Sequence, residues 1–238
     1  MVAQISPDTT TEIIYPDCDG QPMSDNTKQF RWIVTIKENL EILFAEHPDV
    51  FIAGDLLWYP IEGNNKTRFA PDAMVVFGRP KGDRGSYRQW VEGGIAPQVV
   101  FEILSPGNRM AEMSRKLHFY EQYGVEEYYI YDPDRIDFTG WIRNGDRLIA
   151  IEDGDNWISP RLGIRFEMQP DTLKIYYPDN RPVSSFVELD LLRQQAQQQL
   201  QQSEWQLQQS QEQLQQSQQQ AEKLAAKLRE LGIDPNSL

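Results

Sequence analysis

Cysteine is nearly missing from this 238-residue chain. Cys18 stands alone, so no internal disulfide can staple the fold, and a reducing cytoplasm suits it. Histidine is almost as scarce: His47 and His118 are isolated and offer no zinc-binding spacing. No run approaches the ~20 apolar residues of a membrane span. The opening "MVAQISPDTTTEIIYPDCDG" has neither the basic start nor the apolar stretch of a secretory leader. Positive charge is short as well. Lys and Arg number 23 against 36 Asp and Glu, a net charge of −13. A uniformly acidic surface repels phosphates, so nucleic-acid binding would need a local basic patch or metal ions. No helix-turn-helix or zinc-finger pattern is present.

What is there supports a packed core. Hydrophobic residues make up 39% and include six tryptophans, enough for one sizeable domain plus an appendage. Residues 1–24 read as a loose lead-in. "SDNTKQFRWIVTIKENLEILFAEHP" reads as a helix that Ser24 or Asp25 can cap and Pro48 stops, with Phe30, Ile33, Val34, Leu40 and Phe44 at helical spacing. "VFIAGDLLWYP" and "TRFAPDAMVVFG" flank the turn signal "IEGNN", which predicts an antiparallel hairpin. A long polar loop follows, then the apolar strand "APQVVFEILS", a helix over roughly 109–123 that Gly124 can end, and the strand "EEYYIYDP". Short β-rich segments separated by Gly, Asn and Asp then predict a β-meander added to the α/β core, closing a domain over 25–187.

From 188 onward the composition changes. The segment is rich in glutamine, and Leu200, Leu207 and Leu214 recur every seven residues, continued by Ala221 and Leu228. That is a coiled-coil seam. The other seam position carries Ala196, Ser203, Ser210 and Ser217, which weakens it until Leu224 and Leu231. Residues 188–238 therefore read either as a helical tail without a stable partner, or as an element for homo-oligomerisation or for docking to another helix.

Three residues form a candidate site. Asp72 lies at the start of a strand, after Pro71. Glu102 lies inside an apolar strand, where a carboxylate is costly unless paired or metal-bound. Lys116 shares a helical stripe with Met113, Leu117 and Tyr120 and should face the sheet. Brought together, each would give the others a partner. Two carboxylates on neighbouring strands suit a hard cation such as Mg²⁺ or Mn²⁺, and the lysine could position a water or neutralise phosphoryl oxygens.

The connected series "APDAMVV", "VVFEILSPGNR" and the lysine of "SRKLHFYEQYGVEEYYIYDP" resembles the Uma-type restriction endonucleases of the PD-(D/E)xK nuclease superfamily. The resemblance implies a restriction-endonuclease-like α/β (α+β) core with a mixed central sheet flanked by helices. It also implies a metal-dependent endonuclease acting on nucleic acid, DNA foremost, with Asp72 and Glu102 as metal ligands. In the superfamily pattern the lysine lies two residues after the Glu, where this chain has Leu104. The resemblance suggests that Lys116 supplies the ammonium instead. The loop "GRPKGDRGSYRQW" offers Arg79, Lys81, Arg84 and Arg88 as a basic patch that Arg109 could extend. Asp55, and Glu38 or Glu41 on the first helix, are further acidic candidates. An alternative from another class is a nuclease fold used as a non-catalytic binding or assembly module.

Overall fold

The computed structural model describes residues 13–230 apart from 19, 21, 23 and 109. The chain divides into two compact units, Met1–Val183 and Ser184–Leu238.

The first unit is built on a six-stranded mixed sheet. In chain order the elements are α1 (Thr27–Leu43), β1 (Val50–Ala53), β2 (Trp58–Tyr59), β3 (Ala73–Phe77), β4 (Tyr87–Arg88), β5 (Val99–Ile103), α2 (Met110–Tyr123), β6 (Glu127–Asp132), β7 (Asp137–Asn144), β8 (Arg147–Ala150), β9 (Arg165–Met168) and β10 (Leu173–Tyr176). The sheet runs β1-β3-β5-β6-β7-β8. Within this sheet β5 and β6 alone pair in parallel among the described strands, and α2 is the crossover that such a pairing requires.

Alternation along the strands sorts side chains onto two faces. Ala73, Val75, Phe101 and Ile103 share a core with Ile33, Ile36 and Leu40 of α1, and with Phe166, Leu173 and Ile175 of the β9–β10 hairpin. Met74, Val76, Val100 and Tyr128 share the other core with Phe119 and Tyr120 of α2. All five residues of β5 are buried, Glu102 included, as expected for a central strand covered on both sides. Gly124, at φ +97°, ends α2. Arg143 then donates to the carbonyls of Tyr120, Glu121 and Val125, placing a cation at the negative end of the helix.

The structure departs from the sequence reading in three places. Asn26 caps α1, not Ser24 or Asp25: its side chain accepts from the amides of Lys28 and Gln29. The predicted hairpin is only partly formed. β1 and β3 do pair antiparallel, but Asp55, at φ 48°, sits where the chain leaves the sheet, and Trp58–Tyr59 pairs in parallel with Tyr87–Arg88 as a separate two-stranded sheet. The meander also splits. β7 and β8 extend the central sheet, while β9 and β10 form their own antiparallel pair. A polar loop over 79–95 and a set of short β segments do not reveal, by their local pattern, which distant strand each will pair with.

The second unit is one helix, α3 (Phe186–Glu230), of 45 residues. Ser185 and Glu188 start it with a reciprocal capping box: the Glu188 carboxylate accepts from the Ser185 amide, and the Ser185 hydroxyl accepts from the Glu188 amide. Its heptad leucines are exposed to similar extents, 60% at Leu200, 60% at Leu207 and 61% at Leu214.

One glycine on the sheet is required for packing. Gly140 of β7 lies opposite Tyr129 of β6. A Cβ there would fall 2.5 Å from Ile151 Cδ1 and 2.9 Å from Tyr129 Cδ1, closer than carbon atoms approach. Gly140→Ala is expected to cost about 1–3 kcal/mol through overpacking. Urea unfolding of the two proteins measures it, and an unchanged midpoint would show that Ile151 and Tyr129 can give way.

Candidate active site

Two adjacent strands bring the acidic residues together. Ala73 of β3 pairs with Phe101 of β5 in antiparallel register. One residue further, Asp72 falls level with Glu102, and strand alternation places both on the face that α2 covers. The Asp72 carboxylate accepts from the Ile103 amide at 2.6 Å, which anchors it to β5.

Lys116 answers from the helix. Its Nζ donates to Glu102 Oε2 at 2.6 Å, and the pair is shut away from water, with side-chain exposures of 10% and 2%. Tyr120, one turn further along the same stripe, donates its hydroxyl to Glu102 Oε1 at 2.5 Å. Glu102 is thus held by both oxygens. The stripe also includes buried Phe119.

The charges do not balance. Burial, and then the negative charge of Glu102, hold the Asp72 carboxyl well above its ordinary pKa; Lys116 and the Ile103 amide pull the other way but do not prevail. Asp55 adds a smaller push in the same upward direction. For Lys116, burial by itself would lower the pKa, yet attraction to Glu102 and Asp72 and the Glu102 hydrogen bond together raise it. The lysine therefore stays charged. One ammonium faces two carboxyl groups, Glu102 buried and Asp72 half-buried, so ionising both would leave the cluster with surplus negative charge.

Two residues the sequence reading missed complete the cluster. Tyr128 of β6 pairs with Val100, two residues before the Ile130–Glu102 pair, so it lies diagonally across from Glu102 on the same face. Its ring packs edge-on against Tyr120 at 4.9 Å. Its hydroxyl is fully buried and has no hydrogen-bond partner among the described residues. Glu112, one turn before Lys116, contributes to raising the Lys116 pKa and so also feeds negative charge toward this site. Its i, i+4 spacing to Lys116 was the signal for it. Tyr128 had none beyond lying in an apolar strand.

The donor set fits a hard, oxygen-liganded cation. Two carboxylates with spare lone pairs, a surplus negative charge and an unpartnered hydroxyl nearby suit an ion that keeps several waters and takes few protein oxygens. A closed cage is not present: among the described residues no group of three or more His, Cys, Asp or Glu side chains is arranged to hold a metal.

The expected basic patch is largely engaged in pairs within the protein. Arg79 and Arg84 both pair with Glu92, at 3.0 and 2.7 Å, and Arg84 also lies 3.8 Å over the Phe51 ring. Lys81 donates to the Phe44 carbonyl at 2.8 Å and lies 3.8 Å from Glu41. Arg88 is exposed on β4. Arg109 lies outside the described residues. Glu38 and Glu41 are on α1, against the opposite sheet face, where both pair with Lys37. A cavity of about 680 Å³ at the start of β6 is lined by Glu126, Arg143 and Arg161. Its cations are already engaged, Arg161 with Glu126 and Arg143 with the end of α2. Among the described residues no helix is long and apolar enough to cross a membrane.

A family model, Uma2, described as "Putative restriction endonuclease", matches residues 10–174. A crystal structure of "a putative nuclease belonging to DUF820" from Anabaena variabilis is similar at 13% identity, covering 57% of this chain and 72% of that chain, with a TM-score of 0.43. No curated protein matches.

The charge imbalance predicts a pH-dependent stability. With its folded pKa raised, Asp72 binds its proton more tightly in the native state than in the unfolded chain. Stability should fall as pH climbs from the ordinary carboxyl value through the folded value, and stay depressed above it. In chelator at neutral pH, Asp72→Asn is expected to melt higher than wild type and to lose that part of the pH slope. An equal or lower melting temperature across pH 4–8 (roughly the ordinary Asp to Cys range) would contradict the surplus charge. Tyr128→Phe deletes a buried hydroxyl that has no partner. Thermal denaturation should show it as stable as wild type or more so, by on the order of 1 kcal/mol.

Proposed function

This chain belongs to the Uma2 family, and from that premise we propose that its first unit is a divalent-metal-dependent endonuclease acting on DNA in the cytoplasm. Asp72 and Glu102 are its metal ligands and Lys116 its catalytic ammonium. The single observation that carries the reading is the buried Lys116–Glu102 pair level with Asp72 on adjacent strands. A lysine buried on a helix face is costly, and here it is aimed at the two carboxylates that form an oxygen site.

Each residue has a role. Asp72 and Glu102 would hold Mg²⁺ or Mn²⁺, an ion that when bound polarises a phosphoryl oxygen and makes a water more acidic. Lys116 is kept protonated by its carboxylate neighbours. It acts as a donor that orients the attacking water and stabilises charge developing on the phosphate, and not as the base. Tyr120 fixes the Glu102 side chain through its 2.5 Å hydrogen bond. The Tyr128 hydroxyl offers one further contact to an oxygen ligand. Hydrolysis adds a water oxygen to phosphorus as the bond to one sugar oxygen breaks. The leaving oxygen and the new phosphate end share the two protons of the water. DNA contact beyond the site falls to exposed cations such as Arg88 and to Arg109, with Arg79, Lys81 and Arg84 shaping the loop. The second unit self-associates through its heptad stripe.

A second reading is a nuclease fold used as a binding or assembly module. It is favoured by the way protein donors already satisfy both oxygens of Glu102. Metal titration separates the two. A nuclease binds Mn²⁺ in calorimetry and loses that binding in Asp72→Asn, whereas a module shows no binding that depends on Asp72.

The decisive assay incubates the full chain with single- and double-stranded DNA and RNA in Mn²⁺ or Mg²⁺. Wild type is expected to cleave DNA, and Lys116→Met to lose about 10²-fold or more, the scale for removing a preorganised donor. Removing one member of a buried pair costs about 3–5 kcal/mol, so the variant should be destabilised. Mn²⁺, replacing the missing counter-charge, should then raise its melting temperature more than it raises that of wild type. A wild-type protein that cleaves nothing with metal, or a Lys116→Met protein at full rate, would overturn the assignment.

A further inference from the structure

The heptad stripe of α3 is large and small by turns. One seam position carries Leu200, Leu207 and Leu214; the other carries Ser203, Ser210 and Ser217. The three leucines are all about equally exposed within the unit, so the stripe has no partner along its own helix. How two such stripes can pack depends on their direction.

In a parallel pair each seam residue meets its own counterpart. Leucine layers would then alternate with three layers of two serines each. Every serine layer would be under-filled and would bury two hydroxyls beside it, and voids of that size are destabilising. In an antiparallel pair the two seam positions face each other. Setting Leu207 level with Ser210 of the second copy also sets Leu200 level with Ser217 and Leu214 level with Ser203. Each of these layers then holds one large and one small residue, so their volumes are even. The same register puts Leu228 beside Leu189 and Ala221 beside Ala196. Arg193 meets Leu224, where its long stem can lie along the seam with its head in water.

We propose that α3 pairs with α3 of a second copy of this chain as an antiparallel coiled coil in that register. The inference deepens the self-association stated above and rests on it; it does not rest on the nuclease reading. The stripe is its own complement, since each large position finds its small partner at the mirrored place on an identical helix. That is the isologous condition of a two-fold dimer. The ends agree. Glu188 and Asp190 are in the opening turns and Lys227 and Arg229 in the last turn, so antiparallel pairing brings acidic ends beside basic ends and opposes the two helix dipoles. The flanking positions are mostly glutamine, and their charges oppose neither direction.

Disulfide trapping in the full chain tests the direction. Cys18 is exposed and free, so it is first replaced by serine. Antiparallel pairing puts Ser203 roughly 16 Å along the axis from Ser203 of the second copy, beyond the reach of a disulfide. It puts Ser203 level with Leu214. Ser203→Cys protein alone should therefore give only background cross-linking on mild oxidation. Ser203→Cys and Leu214→Cys proteins carrying tags of different mass, unfolded together and refolded, should give a mixed disulfide dimer. Sedimentation of wild type should show twice the chain mass, and Leu207→Glu should return it to the monomer. Efficient linking of Ser203→Cys to itself would leave self-association standing and overturn the antiparallel register. A monomeric wild type with no linking in either experiment would overturn both.

Discussion

The arrangement of the first unit depends on how the Glu102 carboxylate finds partners inside a sheet. An isolated carboxylate there would cost several kcal/mol in desolvation. Lys116 and Tyr120 meet that cost, and both must come from one helix at one height above the strand. The requirement fixes the roll of α2 about its axis. It also fixes the height of the crossover, because α2 must run from the end of β5 to the start of β6 with those two residues facing inward. The closing cap is part of the same constraint. Gly124 and the Arg143 contacts stop the helix where β6 can enter beside β5.

A second buried carboxylate in the same sheet makes the contrast clear. Glu127 of β6 is as buried as Glu102, at 2% exposure. It accepts from the Tyr129 hydroxyl, the Ser159 hydroxyl and the Arg161 amide. Its donors are neutral, and the result is a loop tied to a strand end. Burial pushes its pKa up, with those hydrogen bonds opposing. Glu102 instead faces a buried cation, and a second carboxylate beside it remains in excess. Stability alone would have favoured an arrangement like that of Glu127. On the reading proposed above, a site that pairs one ammonium with two carboxyl groups would trade stability for readiness to take up a cation, as functional sites do.

Much of this was legible in the sequence, for a definite reason. A charged residue interrupting an apolar run is visible one residue at a time, and Glu102 and Lys116 each break a pattern that otherwise obeys its period. The register that sets Asp72 beside Glu102 is also readable, because "APDAMVV" and "QVVFEIL" are both strands and lie near each other in the chain. What escaped reading depends on contacts between segments that are individually unremarkable in pattern. Tyr128 looks like any buried tyrosine until the β5–β6 register places it diagonal to Glu102. Trp58–Tyr59 pairs with Tyr87–Arg88 across a long stretch of chain that includes β3. The basic loop misled in the same way: counting Arg and Lys gives their charge but not their partners, and Glu92 lies a few residues beyond the segment that drew attention.

That loop alters how an acidic protein would meet a polyanion. Arg79 and Arg84 hold the Glu92 carboxyl below its ordinary pKa, foremost through the Arg84 hydrogen bond, so the cluster remains a set of ion pairs across the neutral range. Cations paired in this way project little field. With a net charge of −13 in the chain, long-range attraction cannot be the main source of nucleic-acid affinity. The remaining route is local. A divalent ion held between Asp72 and Glu102 would reverse the sign of the potential where it matters, over the distance of one phosphate. The surplus charge that depresses stability in the absence of metal would then be the same charge that makes binding of nucleic acid depend on metal.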